Sequence, residues 1–194
     1  MGTIDDTTGS PRRAFFREAV ARMVNPIADY IDRRLPLPVT TPPLRPPGAI
    51  AESALLETCY RCGKCVDACP ADAIFPLPRA SGDAAGTPAI DADLAACVVC
   101  DGLLCTHVCP SGALTPVTNP RDIRIGLAEV YPSICVRTDG DACTVCVDVC
   151  PIGDTAIAIR DPGPPRVHPH GCVGCGVCQL RCPTSPKAIV VQPF

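Results

Sequence analysis

Cys59, Cys62, Cys65 and Cys69-Pro70 stand in the spacing C-x2-C-x2-C-x3-C-P, and three variants of this run follow. They are Cys97, Cys100, Cys105, Cys109-Pro110; Cys135, Cys143, Cys146, Cys150-Pro151; and Cys172, Cys175, Cys178, Cys182-Pro183. All 16 cysteines fall into four groups of four, with none left over. Four thiolates are what one [4Fe–4S] cluster requires, so the count implies four such clusters and the work of an electron carrier. The first three cysteines of such a run wrap one corner of a cubane. Small residues such as Gly63, Gly174 and Gly176 let backbone N–H groups approach the sulfides. The fourth cysteine, before proline, ligates the other cluster of a pair.

Zinc and disulfides are the competing uses of cysteine. Zinc ribbons need two C-x2-C pairs across a longer loop, not three cysteines at two-residue gaps and a fourth before proline. The first and last runs therefore exclude zinc, while the irregular middle runs leave it open. A disulfide scaffold calls for a secreted chain, and no convincing signal peptide is present. His107 lies between Cys105 and Cys109, whose set is already complete, and reads as a surface histidine. His168 and His170 read as loop residues, and Asp67, Asp148 and Asp154 as solvated docking charges. There is no phosphate-binding glycine loop, dinucleotide fingerprint or nucleophile elbow, so no catalytic residue is expected.

Which runs pair is open on spacing alone. The two regular runs resemble each other most, which favours a nested arrangement over a sequential one. Nesting joins Cys59, Cys62, Cys65 with Cys182, and Cys172, Cys175, Cys178 with Cys69. It also joins Cys97, Cys100, Cys105 with Cys150, and Cys135, Cys143, Cys146 with Cys109. Sequential pairing instead couples the first run with the second and the third with the fourth.

The elements that hold these loops are short. After each Cys-Pro comes an apolar segment: Ala73–Phe75, Ala113–Leu114, Ala156–Ile159 and Ala188–Val191. Strand candidates precede the later runs at Ala89–Asp91, Val130–Tyr131 and Arg166–His168. The repeating unit is strand, cysteine loop, one or two helical turns, strand. The expected fold is α+β, a duplicated bacterial 2[4Fe–4S] ferredoxin-like fold over residues 49–194. Residues 1–48 form an N-terminal arm. Within it, 12–34 reads as an amphipathic helix with Phe16, Val20, Val24, Ile27 and Ile31 at intervals of three and four. Six prolines between Leu35 and Pro47 make a semi-rigid tether. The helix is expected to dock onto its own domain, a neighbouring subunit or a membrane surface.

Composition agrees with a metal-built core. There are 4 Phe, 3 Tyr and no Trp against 24 Pro and 15 Gly. A chain so poor in large side chains needs inorganic staples, so folding and cofactor insertion are expected to be coupled. The formal charge of −3 and the lack of a basic stripe argue against nucleic acid. No run of 18 uncharged apolar residues offers a membrane span. Ser10-Pro11-Arg12-Arg13-Ala14-Phe15-Phe16-Arg17 holds a remnant of a twin-arginine signal, but charged residues follow instead of an apolar core. The expectation is a cytoplasmic protein, with periplasmic placement by twin-arginine export as the alternative.

Residues Leu44-Arg45-Pro46-Pro47-Gly48-Ala49, Cys59-Tyr60-Arg61-Cys62-Gly63-Lys64-Cys65 and Ala68-Cys69-Pro70 resemble the MauM/NapG family of ferredoxin-type proteins. The second run, C-x2-C-x4-C-x3-C-P, and the third, C-x7-C-x2-C-x3-C-P, agree with it, so the resemblance covers roughly residues 44–192. It implies four [4Fe–4S] clusters relaying single electrons between a quinone-linked membrane complex and a larger oxidoreductase. It also implies nested pairing, by likeness to related four-cluster subunits, and a periplasmic setting from which this charged N-terminal segment departs.

Overall fold

The computed structural model describes residues 42–160 and 162–194. The expected helix 12–34 and most of the proline tether lie outside the described residues. The elements are α1 (Glu52–Thr58), α2 (Lys64–Asp67), β1 (Phe75–Pro76), β2 (Pro88–Ala89), α3 (Leu104–His107), β3 (Gly126–Val130), α4 (Val145–Asp148), β4 (Ile157–Ala158), β5 (Arg166–Val167), α5 (Val177–Arg181) and β6 (Ile189–Pro193).

Short helices and small two-stranded sheets divide the described residues into two halves. In the first half, β1 and β2 form an antiparallel hairpin, Phe75 opposite Ala89. An outer bridge joins Ala49 to Leu114, with Thr115 N–H donating to the Gly48 carbonyl at 2.7 Å. In the second half the inner hairpin is β4–β5, Ile157 opposite Val167. The outer pair is β3–β6, with Val130 opposite Ile189 and Ala128 opposite Val191. In each half two one-turn helices pack together, α2 on α3 and α4 on α5.

Strand alternation follows the pleat, which sends successive side chains to opposite faces. Ile189 and Val191 of β6 are buried, as is Ala128 of β3. The core these faces cover is small: alanines, valines, isoleucines and Cys97, Cys105, Cys175 and Cys182. Among described residues the largest fully buried side chains are Leu55, Leu103, Leu114 and Ile123. Six-residue strands and ten-residue helices are unnecessary here, because the loops between them line the sites.

Residues 44–48, read with the arm, belong to the folded body. Leu44 bridges to Ile90, and Pro46 and Pro47 are fully buried. Arg45 is buried and donates to Glu52 Oε2 at 2.8 Å, Thr87 Oγ1 at 3.0 Å and the Pro88 carbonyl at 2.7 Å. Gly48 has φ +74°, and a Cβ there would lie 2.1 Å from the Thr115 carbonyl oxygen. Only glycine satisfies both demands. The sequence pattern missed α1, whose apolar residues are too few to show a period; Leu55 alone of its side chains is buried.

Candidate metal centres

The four cysteine runs sit where loop meets one-turn helix. Each run opens in an extended or left-handed loop and closes in α2, α3, α4 or α5. Arg61 and Val99, the third residues of their C-x2-C loops, have positive φ of 54° and 52°. A left-handed residue at that point turns the chain around whatever the thiols hold. All 16 thiols are unbridged.

Three cavities are each ringed by four thiols. The first is lined by Cys59, Cys62, Cys65 and Cys109, with Arg61, Gly63, Ser111 and Leu114. Another is lined by Cys135, Cys143, Cys146 and Cys182, and another by Cys150, Cys172, Cys175 and Cys178. The remaining thiols, Cys69, Cys97, Cys100 and Cys105, are electrostatic neighbours: burial pushes Cys105 up to about 12, and charges on Cys97, Cys100 and Cys69, then on Cys65 of the first cavity, add to it. We call these sets A (Cys59, Cys62, Cys65, Cys109), B (Cys69, Cys97, Cys100, Cys105), C (Cys135, Cys143, Cys146, Cys182) and D (Cys150, Cys172, Cys175, Cys178).

This grouping is sequential, and it differs from the nested expectation at every fourth cysteine. Cys182 lies with Cys135, Cys143 and Cys146 rather than with the first run, and Cys69 lies with the second run rather than the last. Cys150 lies with the last run and Cys109 with the first. The reason is mechanical. The outer strands close each half on itself, so α2 meets α3 and α4 meets α5, and the shorter loops also cost less entropy to close. Similarity between the first and last runs reflects their shared spacing and carries no information about proximity.

Among the described residues no three His, Cys, Asp or Glu side chains converge on a point that a single ion could occupy. Tetrahedral zinc requires sulfurs about 2.3 Å from one centre. Burial raises Cys65 and Cys146 to about 11 and Cys175 to about 12, with neighbouring thiolates adding to each. Burial and the Cys175 and Cys172 charges raise Cys178 strongly as well. A bound iron cluster would supply the cationic charge that favours the thiolate form of these thiols.

Two thiols behave differently. For Cys109, partial burial is outweighed by hydrogen bonds from Leu114 N–H at 3.4 Å and from Ser111, which lower it. For Cys182, burial is likewise outweighed by Thr184, whose hydroxyl lies 3.2 Å from Sγ. Ser111 and Thr184 each follow their cysteine by two residues. A hydroxyl two residues on, folding back to a local acceptor, is the signal that could have marked them. Arg61 was also missed. Its N–H donates to Cys59 Sγ at 3.4 Å, and its guanidinium donates to the carbonyls of Cys59, Asp83 and Ala85. It thereby fastens loop 79–86 over set A.

The remaining candidates lie apart from the thiols. His107 and His170 are exposed and His168 is half-buried. Asp67, Asp148 and Asp154 are exposed carboxylates. No helix among the described residues is long and apolar enough to cross a membrane.

Residues 58–113, which hold the first two runs, match the 4Fe-4S dicluster domain family. The ferredoxin-type protein NapG of Escherichia coli is 41% identical over 78% of this chain and 71% of its own length. The methylamine utilization ferredoxin-type protein MauM of Methylobacillus flagellatus is 35% identical over 94% of this chain and 83% of its own. The chain belongs to the NapG/MauM family of ferredoxin-type proteins. Its 4Fe-4S domain and cysteine sets make it an iron–sulfur protein of electron transfer, carrying [4Fe–4S] clusters. MauM of Methylorubrum extorquens is a further relative, 38% identical over 77% of this chain and 72% of its own.

Proposed function

We propose that the chain is a polyferredoxin that holds four [4Fe–4S] clusters, one in each of sets A to D. The duplicated ferredoxin-like fold then carries two clusters per half. The observation that carries this reading is the ring of four thiols at each of three cavities, three from one run and one from its neighbour, with the four remaining thiols completing the same arithmetic. A dicluster match that ends with the second run supports pairing of the first run with the second. When bound, each cluster takes up and releases one electron. The chain's residues do the rest. The cysteines hold the irons, and the buried alanines and valines exclude water. Arg61, Leu114, Ser111 and Thr184 direct hydrogen-bond donors at sulfur, which stabilises the reduced charge.

Exposed carboxylates at Asp67, Asp148 and Asp154 suit docking to basic redox partners. We propose a larger oxidoreductase and a quinone-linked membrane complex as those partners, and the 12–34 segment as a docking element. The relatives lend no support to the cytoplasmic placement expected from the sequence; twin-arginine export fits them, with the Arg12-Arg13 segment kept on the exported chain as the docking element. Because residues 44–48 belong to the folded body, a test of the arm removes residues 1–41 only. That deletion should preserve iron content and abolish copurification with the partner.

Anaerobically purified protein should contain about 16 iron and about 16 sulfide per chain. After dithionite reduction it should show the broadened EPR signals of interacting clusters. Abundant zinc with little sulfide would refute the reading in favour of a stapled interaction module.

A further inference from the structure

The two halves meet at one seam, and the seam lies between two thiol sets. Cys97 of set B donates its N–H to the carbonyl of Cys175 of set D at 2.9 Å. Within the second half, just before Cys175, Ile125 N–H donates to the Val173 carbonyl at 3.1 Å and fixes the loop that carries this contact. At Gly176, a Cβ would lie 2.8 Å from Ala92 Cβ and 3.6 Å from Ala96 Cβ. The halves therefore approach as closely as backbone and alanine allow.

Gln179 ties this seam. It is 6% exposed and sits beside Cys178 in α5. Its Nε2 donates to Asp93 Oδ1 of the first half at 2.9 Å, while its Oε1 accepts Val191 N–H of β6 at 2.8 Å. A carboxylate on one side and an N–H on the other admit only this amide orientation. One buried side chain thus spans the first half, the last cysteine helix and the outer strand of the second half.

We infer that electrons pass between the halves at the contact of Cys97 with Cys175, and that Gln179 is the positioning residue that holds that contact closed. The path then runs through sets A, B, D and C in that order, not in the order of the chain. This rests on the reading that the four sets hold clusters. Within each half, α2 packs on α3 and α4 on α5, so A adjoins B and C adjoins D. Between the halves, B and D share the seam. Sets A and C become the two ends, and Cys62 of set A is exposed.

The test uses the full-length, cluster-loaded protein and the variants Gln179→Leu, Asp93→Ala and Asp93→Asn. Iron and sulfide are counted, and spin–spin broadening is followed by EPR in the fully reduced state. Gln179→Leu and Asp93→Ala should keep wild-type iron and sulfide yet lose part of the broadening. Asp93→Asn, which retains the Oδ1 acceptor, should keep wild-type broadening. Asp93 is exposed and lies on the opposite half, so Asp93→Ala carries the test where Gln179→Leu fails to fold. Wild-type broadening in both disruptive variants at full iron content would overturn the inference. So would selective exposure of set D thiols to alkylation with the remaining broadening intact, because Gln179 would then serve cluster retention. Absence of iron and sulfide from the wild-type protein would sink the cluster reading itself, a result distinct from either.

Discussion

Cys97 and Cys175 lie 78 residues apart in the chain, and the N–H of one donates to the carbonyl of the other at 2.9 Å. This bond is backbone to backbone, so changing either cysteine's own side chain does not remove a partner from it. It joins two halves whose sheets are otherwise separate. The halves should therefore open together. Hydrogen exchange of the loaded protein should protect the Cys97 amide as strongly as the Ile125 amide, which bonds to Val173 inside the second half. Fast exchange at Cys97 beside slow exchange at Ile125 would mean that the seam opens locally.

Arg45 is the fastening of the first half. Its guanidinium serves Glu52, Thr87 and the Pro88 carbonyl while almost wholly buried. Arg45→Ala leaves buried acceptors without donors and should cost about 2–3 kcal/mol. Arg45→Lys should recover little, since an ammonium cannot fork to partners on three sides. Thermal unfolding of the loaded protein measures both, and an unchanged midpoint for Arg45→Ala would contradict the assignment.

Arg61 holds loop 79–86 against set A through the Asp83 and Ala85 carbonyls. Arg61→Ala should speed oxidative loss of the cluster in set A several-fold while the other sets persist. Timed air exposure followed by alkylation mapping reads this at Cys59, Cys62, Cys65 and Cys109. Equal loss from all four sets would remove the special role.

Loading should release protons. Cys65, Cys97 and Cys146 are raised to about 11, and Cys105 and Cys175 to about 12, chiefly by burial. At neutral pH these thiols are protonated in the metal-free chain, and each must lose its proton to bind iron. The sign follows: loading strengthens as pH rises toward the raised values and weakens as pH falls. Reconstitution in weakly buffered solution should acidify the medium, and pH-independent loading would contradict the raised thiols.

Much of this was legible in the runs themselves. Cys59 to Cys69 names its ligand type and cluster by spacing alone, because three thiols at two-residue gaps suit a cubane corner and little else. The short strands after the first, third and last Cys-Pro, and the bridge at Leu114 after the second, were legible too, as apolar residues bounded by turn formers. Pairing was not. Whether Cys109 meets Cys65 or Cys146 depends on which helices pack, and one-turn helices such as Lys64–Asp67 carry no face that periodicity could reveal. Arg45 was visible only as part of a family pattern; its reason, a buried fork onto Thr87 and Pro88, is tertiary. Gln179 carried no signal at all, since its two partners lie 86 residues before it and 12 after.

The grouping of the fourth cysteines is the central claim, and one variant tests it directly. Cys182→Ala, prepared anaerobically with its remaining clusters, is alkylated and the modified cysteines are mapped by mass spectrometry. Newly reactive thiols at Cys135, Cys143 and Cys146, with Cys59, Cys62 and Cys65 protected, are the predicted result. New reactivity at Cys59, Cys62 and Cys65 instead would restore the nested pairing and contradict the arrangement of the four sets.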